Sequence, residues 1–190
     1  MLSFPPIKFL HKVTQSPTLF FLVLALVILG PLILPGRIIT LDSPRAVNWD
    51  VAGYFWNTSD GAGSVLAGHY NSAPIAIVLK VFDTLLPFWV VEKLWLFLLF
   101  WLAGMGASRL PFLMGVGRYY AGVFYAINPF VYSRFIAGQW GLLGAYAIMP
   151  FALTSFLDLL EQPNHRNAIK TALLATLTGF FQIHGLGLLI

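Results

Sequence analysis

The sequence contains no cysteine, and only 9% of its residues are charged. The absence of cysteine excludes disulfide bonds, thiolate metal sites and thiol catalysis. Soluble domains typically have roughly 25% charged residues, so this chain falls far below them. At the same time, 58% of its residues are hydrophobic. Composition alone therefore predicts an integral membrane protein.

The distribution of charge and apolar residues predicts the kind of membrane protein. The net charge is +4, but the basic residues are scattered singly through polar segments, which does not favour nucleic-acid binding. A helix needs about 20 residues to cross a bilayer, and the apolar runs are of about this length. They lack the two-residue alternation of a membrane barrel. We predict an all-α, polytopic transmembrane helical bundle. Its five spans are expected at about residues 18–35, 91–110, 119–131, 141–160 and from 168 onward.

The order of segments predicts one membrane domain over residues 1–190. Lys8 and Lys12 precede the first apolar run, which is too long for a signal peptide and has no small-residue cleavage site after it. This pattern predicts an uncleaved signal anchor with a cytoplasmic N-terminus. The apolar run that ends at Ile190 predicts the N-terminal part of a longer protein. The predicted segments are a cytoplasmic N-terminus (1–17), the first span (18–35), an outer loop with interfacial helices (36–90) and the remaining spans (91–190).

Residues 73–86 allow two topologies. The segment is short for a span, carries Lys80 and Asp83 one helical turn apart, and ends at Pro87. If it crosses the membrane, four later cations fall outside; if it lies at the interface, they join the N-terminus in the cytoplasm. The positive-inside bias favours the interfacial alternative. The four cations are Arg109, Arg118, Arg166 and Lys170.

A polar and aromatic stretch interrupts the apolar sequence between Tyr125 and Trp140. It contains Asn128-Pro129, and proline ends a helix because it lacks the amide proton and disfavours helical geometry in the preceding residue. We therefore predict a broken helix, with residues 130–136 completing the crossing. Discontinuous membrane helices are tolerated where they are buried in protein or line a cavity, which predicts a cavity near Arg134.

Several residues are candidates for chemistry. Asp42 and Asp50 lie in the outer loop, where a carboxylate can act as a general base or hold a divalent cation, or can simply cap a turn or remain solvated. Arg134 can bind a phosphate through its planar guanidinium, or extend to lipid headgroups. Gln139 and Trp140 fit either a sugar-binding shelf or an interfacial aromatic belt.

Histidine and glycine add two further predictions. His69 lies in a polar cluster and is a candidate substrate ligand, but no HxxxH or HExxH spacing predicts a metal site around it. Small residues let helices approach closely, so the glycines within and beside the apolar runs predict tight helix packing. These glycines are Gly104, Gly106, Gly138, Gly141 and Gly144.

Residues 18–160 resemble the N-terminal region of membrane glycosyltransferases of the GT-C superfamily, most similarly the arabinofuranosyltransferase D type. The resemblance rests on four features in chain order. They are a signal anchor, an outer loop with Asp42, the run Pro87-Phe-Trp-Val-Val-Glu-Lys-Leu-Trp95 opening a span, and the pieces Tyr125-Ala-Ile-Asn-Pro-Phe130 and Gly138-Gln-Trp140.

The resemblance implies a transferase in the plasma (cytoplasmic) membrane that moves a sugar from a polyprenyl-phosphate donor to an extracytoplasmic acceptor. It implies Asp42 as catalytic base, with Asp50 as substitute, Arg134 for the donor phosphate, and Gln139 with Trp140 for sugar or acceptor. The acidic pair that holds a metal in some of these enzymes is missing, so a divalent cation is possible rather than expected. The segment by itself is expected to be inactive.

Two other functions fit the same residues. A transporter or lipid-handling protein would place Asn128-Pro129 at a gate, Arg134 as substrate anchor, and a polar path past His184. A nonenzymatic assembly subunit would use these polar groups to satisfy one another. Membrane lipid is an expected partner in each case, and the sequence does not predict an oligomeric state.

Overall fold

The computed structural model describes residues 16–38, 56–57, 64–65 and 81–181 of the chain. Six α-helices account for most of the described residues, which confirms the helical class. They are α1 (Pro17–Leu29, followed by a 3-10 turn at Gly30–Leu32), α2 (Phe88–Ala107), α3 (Val116–Ala126), α4 (Pro129–Ala137), α5 (Trp140–Glu161) and α6 (His165–Phe181). Two short antiparallel strands, β1 (Trp56–Asn57) and β2 (Ser64–Val65), pair with Trp56 opposite Val65.

Two helices, α2 and α5, are long and apolar enough to cross a membrane. Within the described residues, the other expected spans are not seen at that length. Helix α1 has 13 residues and α3 has 11, so at about 1.5 Å per residue each is too short to cross a bilayer alone as a regular helix. Helix α6 has 17 residues, and its first turns carry Arg166 and Lys170.

Local sequence signals explain where the helices begin. The Ser16 hydroxyl accepts a hydrogen bond from the Leu19 amide (3.5 Å), and Pro17 occupies the first turn of α1, where its missing amide proton costs nothing. Asn164 accepts from the Asn167 amide (2.9 Å) at the start of α6. Each cap satisfies an amide that has no partner within its helix.

Helices α1 and α2 run antiparallel, as contacts at both of their ends show. At one end the Ile38 amide donates to Glu92 (3.1 Å), and at the other the Trp101 indole and Arg109 guanidinium donate to Thr18 (3.1 and 3.2 Å). Ile38 and the start of α2 therefore lie at the same end of this helix pair. Residues 81–83 form a helical turn, while residues 66–80 lie outside the described part.

The core lies between α1, α2, α4 and α5. The Phe181 ring lies against both Trp95 of α2 and Gly144 of α5, and farther along both helices Phe151 of α5 lies against Gly106 of α2, so these two helices run parallel. The buried members are Leu29, Leu96, Leu99, Ala103, Val131, Trp140, Leu143 and Ala147. The N-terminal ends of α2 and α5 consequently share one end of the bundle.

Glycine permits the closest helix contacts, as predicted. A Cβ atom at Gly106 would lie 2.6 Å from the Phe151 ring, and one at Gly144 would lie 2.6 Å from the Phe181 ring. Gly104 is likewise closely covered by the Phe21 ring. Gly138 has a different role, because its φ of 77° places it in the left-handed region at the C-terminal cap of α4.

Exposed apolar stripes run along the outer faces of α3 and α6. On α6, Ile169, Leu173 and Leu177 recur at every fourth residue and are each at least 39% exposed. On α3, Val116, Tyr120 and Phe124 repeat the same spacing. Contiguous apolar surface of this kind marks an interaction with a membrane or with another protein.

Candidate functional site

The site is built on the break between α3 and α4. Ile127 and Asn128 leave helical geometry (ψ of 91° and 167°), and Pro129 begins α4. The Asn128 side-chain oxygen accepts from the Val131 amide (3.0 Å), which caps the new helix. The prediction that Asn128-Pro129 divides this helix is confirmed.

Two tyrosines hold the break against α5. The Tyr125 hydroxyl donates to the Tyr146 carbonyl (2.9 Å), and the Tyr146 hydroxyl donates to the Tyr125 carbonyl (3.0 Å). Their rings stack with centroids 4.0 Å apart and planes 8° from parallel. The Asn128 amide group donates to the Tyr146 hydroxyl (3.0 Å) and to the Tyr125 carbonyl (2.9 Å). Groups freed by the broken helix thereby gain partners from side chains.

The break lies beside α5, which is long enough to cross a membrane, and not beyond the end of that helix. Tyr146 follows the first residue of α5 by six positions, or about 9 Å along the axis. Sequence reasoning missed Tyr146, because a tyrosine inside an apolar run carries no motif. The only signal was that a tyrosine hydroxyl within a predicted membrane span needs a hydrogen-bond partner.

Arg134 and Gln139 form a pair where α4 ends. The Arg134 guanidinium donates from Nη1 to the Gln139 side-chain oxygen (2.7 Å) and lies 5.6 Å from the centroid of the Phe130 ring. The backbone amide of Gln139 donates to the Arg134 carbonyl (3.0 Å). The left-handed conformation of Gly138 turns the chain back so that this bond can form. Two of the predicted site residues are therefore brought together.

Arg134 keeps one hydrogen-bond donor unused. Its Nε atom is buried and has no hydrogen-bond partner in the described part of the chain. Buried polar atoms are nearly always paired, so each exception calls for an explanation such as a ligand or an ordered water. This atom identifies Arg134 as the strongest candidate ligand-binding residue at the break.

Trp140 packs in the core. Its side chain is 7% exposed, and its indole nitrogen donates to the Phe135 carbonyl (3.4 Å). A sugar-stacking shelf or an interfacial belt needs an exposed ring face, which this tryptophan does not offer in the described fold. The indole instead joins the start of α5 to the last turn of α4.

A second polar cluster lies where α1 ends and α2 begins. Glu92 is 4% exposed and accepts from the Ile38 amide, and Lys93 donates to the Leu34 carbonyl. Arg37 lies over the Phe88 ring with its guanidinium carbon 4.4 Å from the centroid. Sequence reasoning gave Glu92 no role, although an ionisable residue within an apolar helix is the usual sign of a functional or paired group.

The two polar clusters meet the same core. Ile38 and Phe135 both pack against the buried cluster that contains Trp140. Asp42 follows Ile38 by four residues, so covalent geometry keeps its Cα within about 14 Å of the Ile38 Cα. Asp42, Asp50 and His69 themselves lie outside the described residues.

Two cavities in the described part lie near the polar clusters. The larger, of about 280 Å³, lies between α1 and α2, and a much smaller one borders Val131 and Tyr146. Neither is lined by Arg134, so the cavity expected there stays a prediction. Among the described residues no group of three or more His, Cys, Asp or Glu side chains is placed to bind a metal ion.

These features define a helical protein. Within the described residues, two helices are long enough to cross a membrane, and a polar break at Asn128-Pro129 separates α3 from α4. Comparisons with protein-family models, curated protein sequences and solved structures find no match to this chain.

Proposed function

We propose that this chain belongs to a membrane glycosyltransferase of the GT-C type, which moves a sugar from a polyprenyl-phosphate donor to an extracytoplasmic acceptor. The observation that supports it is the Arg134 guanidinium with its unpaired Nε atom, held by Gln139 at the end of a broken helix. The base of the outer loop, Ile38, packs on the same core. Asp42 follows Ile38 by four residues in the sequence, which supports its place beside Arg134 in the proposed site.

The proposed reaction needs one base and one charge-stabilising group. Asp42, or Asp50 in its place, takes the proton from an acceptor hydroxyl, whose oxygen attacks the anomeric carbon of the donor sugar. The bond between that carbon and the phosphate oxygen breaks, and the polyprenyl phosphate leaves with the electron pair. Arg134 offsets the negative charge that develops on the phosphate. Gln139 and His69 are proposed to bind sugar or acceptor hydroxyls, and a divalent cation is an optional addition.

The proposed location is the cytoplasmic membrane with the N-terminus inside. Arg109 follows α2 and Arg118 lies in the first turn of α3, while Arg166 and Lys170 lie in the first turns of α6. All four are at the end of the bundle opposite Ile38 and Glu92, because they lie by the C-terminal ends of α2 and α5, which run parallel. Among the described residues this end carries four cations and the other end three (Arg37, Lys93 and Arg134), and this excess of one supports a cytoplasmic assignment for it.

A transporter is the second candidate, because a discontinuous helix is also typical of transporter substrate sites. The mutual pairing of Tyr125, Tyr146 and Asn128 favours the third candidate, an assembly subunit without activity. His184, on the transporter path, lies outside the described residues.

The transferase proposal predicts that Asp42→Asn lowers sugar transfer by on the order of 100-fold or more in the full chain, because the acceptor loses its base. Arg134→Gln is expected to lower transfer as well, since it removes the cation that faces the phosphate. The measurement is transfer of radiolabelled sugar from a panel of polyprenyl-phosphate donors in membranes, with insertion followed by immunoblot. The control is Arg109→Gln, which removes an exposed cation at the opposite end. Wild-type rates for both Asp42→Asn and Asp50→Asn would reject the proposed base.

The topology predicts which positions are open to water outside the cell. Cysteines placed singly at Ser43 and Ile136 should react with an impermeant maleimide in intact cells, while cysteines at Phe112 and Asn164 should react only after permeabilisation. The structure directs this choice, because Ser108 is fully buried and Gly138 is left-handed. Labelling at Ser43 together with protection at Ile136 would separate Asp42 from Arg134 and remove the proposed site.

A further inference from the structure

An apolar groove separates α1 from α2 near the end where Glu92 lies. Its volume is about 280 Å³, and its walls are almost wholly hydrocarbon. The lining side chains include Leu26, Leu29 and Ile33 from the α1 side and Trp89, Leu94 and Phe97 from α2. A cavity of about 150 Å³ is enough for a benzene-sized ligand, so this groove has room for a longer stretch of hydrocarbon.

The groove opens on an apolar surface. Leu26, Ile33 and Leu94 line it and are 44%, 59% and 54% exposed. Their outward faces are suited to hydrocarbon rather than to water. A chain that enters the groove from a bilayer would therefore leave one apolar environment for another and gain contacts with the groove walls.

Charge is confined to one end of the groove. Among the described residues that line the groove, Lys93 is the ionisable one, and its ammonium lies 4.9 Å from the centroid of the Trp89 ring and donates to the Leu34 carbonyl. Arg37 lies close by, over the Phe88 ring. The positive charges of Arg37 and Lys93 both attract the Glu92 carboxylate. Two cations and one carboxylate leave a net positive charge at this end. An ammonium has three donors, so Lys93 can bond a phosphate oxygen while it keeps Leu34.

We propose that the groove is a binding site for an anionic glycerophospholipid. One acyl chain lies between α1 and α2, the second stays in the bilayer, and the phosphate binds Lys93 and Arg37. The match is between a site that is apolar along its length and cationic at one end, and a ligand with the same division. This inference does not depend on the transferase proposal, because it uses neither Asp42 nor Arg134.

The test uses the purified full chain in nanodiscs. Phosphatidylglycerol with a diazirine in one acyl chain is compared with the equivalent phosphatidylcholine, and the crosslinked peptides are mapped by mass spectrometry. We expect crosslinks within residues 26–38 and 89–97, with phosphatidylglycerol favoured by about fivefold, the preference that one surface cation gives an anionic lipid. Crosslinks that fall mainly elsewhere would overturn the proposal.

Variants separate the chain from the headgroup. Lys93→Gln should abolish the preference for phosphatidylglycerol, and Val90→Phe, which adds a ring to the groove wall, should reduce crosslinking of both lipids. Lys170→Gln is the control, because Lys170 pairs with Asp158 at the opposite end (3.0 Å). Circular dichroism checks that each variant is folded. Retention of the preference in Lys93→Gln, or displacement of phosphatidylglycerol by an equimolar polyprenyl monophosphate, would overturn the assignment.

Discussion

Adding one methyl group at Gly122 is expected to destabilise the bundle by about 1–3 kcal/mol, the usual effect of overpacking a core. A Cβ atom there would lie 2.6 Å from the Gly104 carbonyl oxygen and would collide with the Phe21 ring. The ring can turn, but the carbonyl belongs to the backbone of α2 and cannot move away without shifting that helix. Gly122→Ala should therefore separate α3 from α2.

Gly117→Ala is the matched control, because Gly117 lies in the same helix and no atom would come within 4 Å of an added Cβ. Alanine favours helix over glycine by about 0.5–1 kcal/mol, so this variant is expected to be as stable as the wild type or slightly more stable. The measurement is the helical circular dichroism signal during titration of detergent-solubilised protein with sodium dodecyl sulfate. Equal unfolding midpoints for the two variants would mean that α3 does not pack on Gly104 as described.

Replacing Asn128 by alanine is expected to lower the free energy of unfolding by about 2–3 kcal/mol, the sum of a lost helix cap and two lost side-chain hydrogen bonds. Its oxygen caps α4 through the Val131 amide, and its amide group donates to the Tyr146 hydroxyl and the Tyr125 carbonyl. No other residue supplies all of these bonds in the described break. The same detergent titration measures the loss.

Two further variants divide the roles of Asn128. Asn128→Asp keeps the capping oxygen and removes the donor group, so it should retain α4 while loosening the contact with Tyr146. Asn164→Ala removes a similar cap from α6 at an exposed position and should cost about 1 kcal/mol. If Asn128→Ala costs no more than Asn164→Ala, the bonds to the two tyrosines add little stability.

The position of Arg134 depends on this break. Arg134 occupies the sixth position of α4, and that helix begins at Pro129 because Asn128 caps it. Loss of the cap should therefore disturb the pairing of Arg134 with Gln139 as well as the stability of the bundle. Sugar-transfer measurements on Asn128→Asp would report the functional part of this effect.

Local signals in the sequence predicted the helices and the break. Apolar composition favours membrane helices, and Asn-Pro ends a helix through the chemistry of a single residue pair. The predicted span at residues 141–160 matches α5, and residues 130–136 fall within α4. Arg134 and Gln139 are only five positions apart in the sequence. Their contact across a tight turn could therefore be expected from the sequence alone.

The same local signals misjudged features that depend on distant partners. Gly138 was expected to aid helix packing, but it caps α4, and Trp140 was expected at a surface, but it is buried. Which side of a helix faces a neighbour depends on how the helices pair. The mean hydropathy of a segment does not contain that information.

The sequence by itself determined that the chain is apolar and helical and that one helix is interrupted at Asn128-Pro129, because composition, propensity and proline chemistry act within a few residues. Only the tertiary structure decided which polar groups meet. Glu92 finds the Ile38 amide 54 positions away, and Tyr125 finds the Tyr146 carbonyl 21 positions away. Such bonds follow from the order and direction in which helices pack, which depends on the fit of many side chains at once.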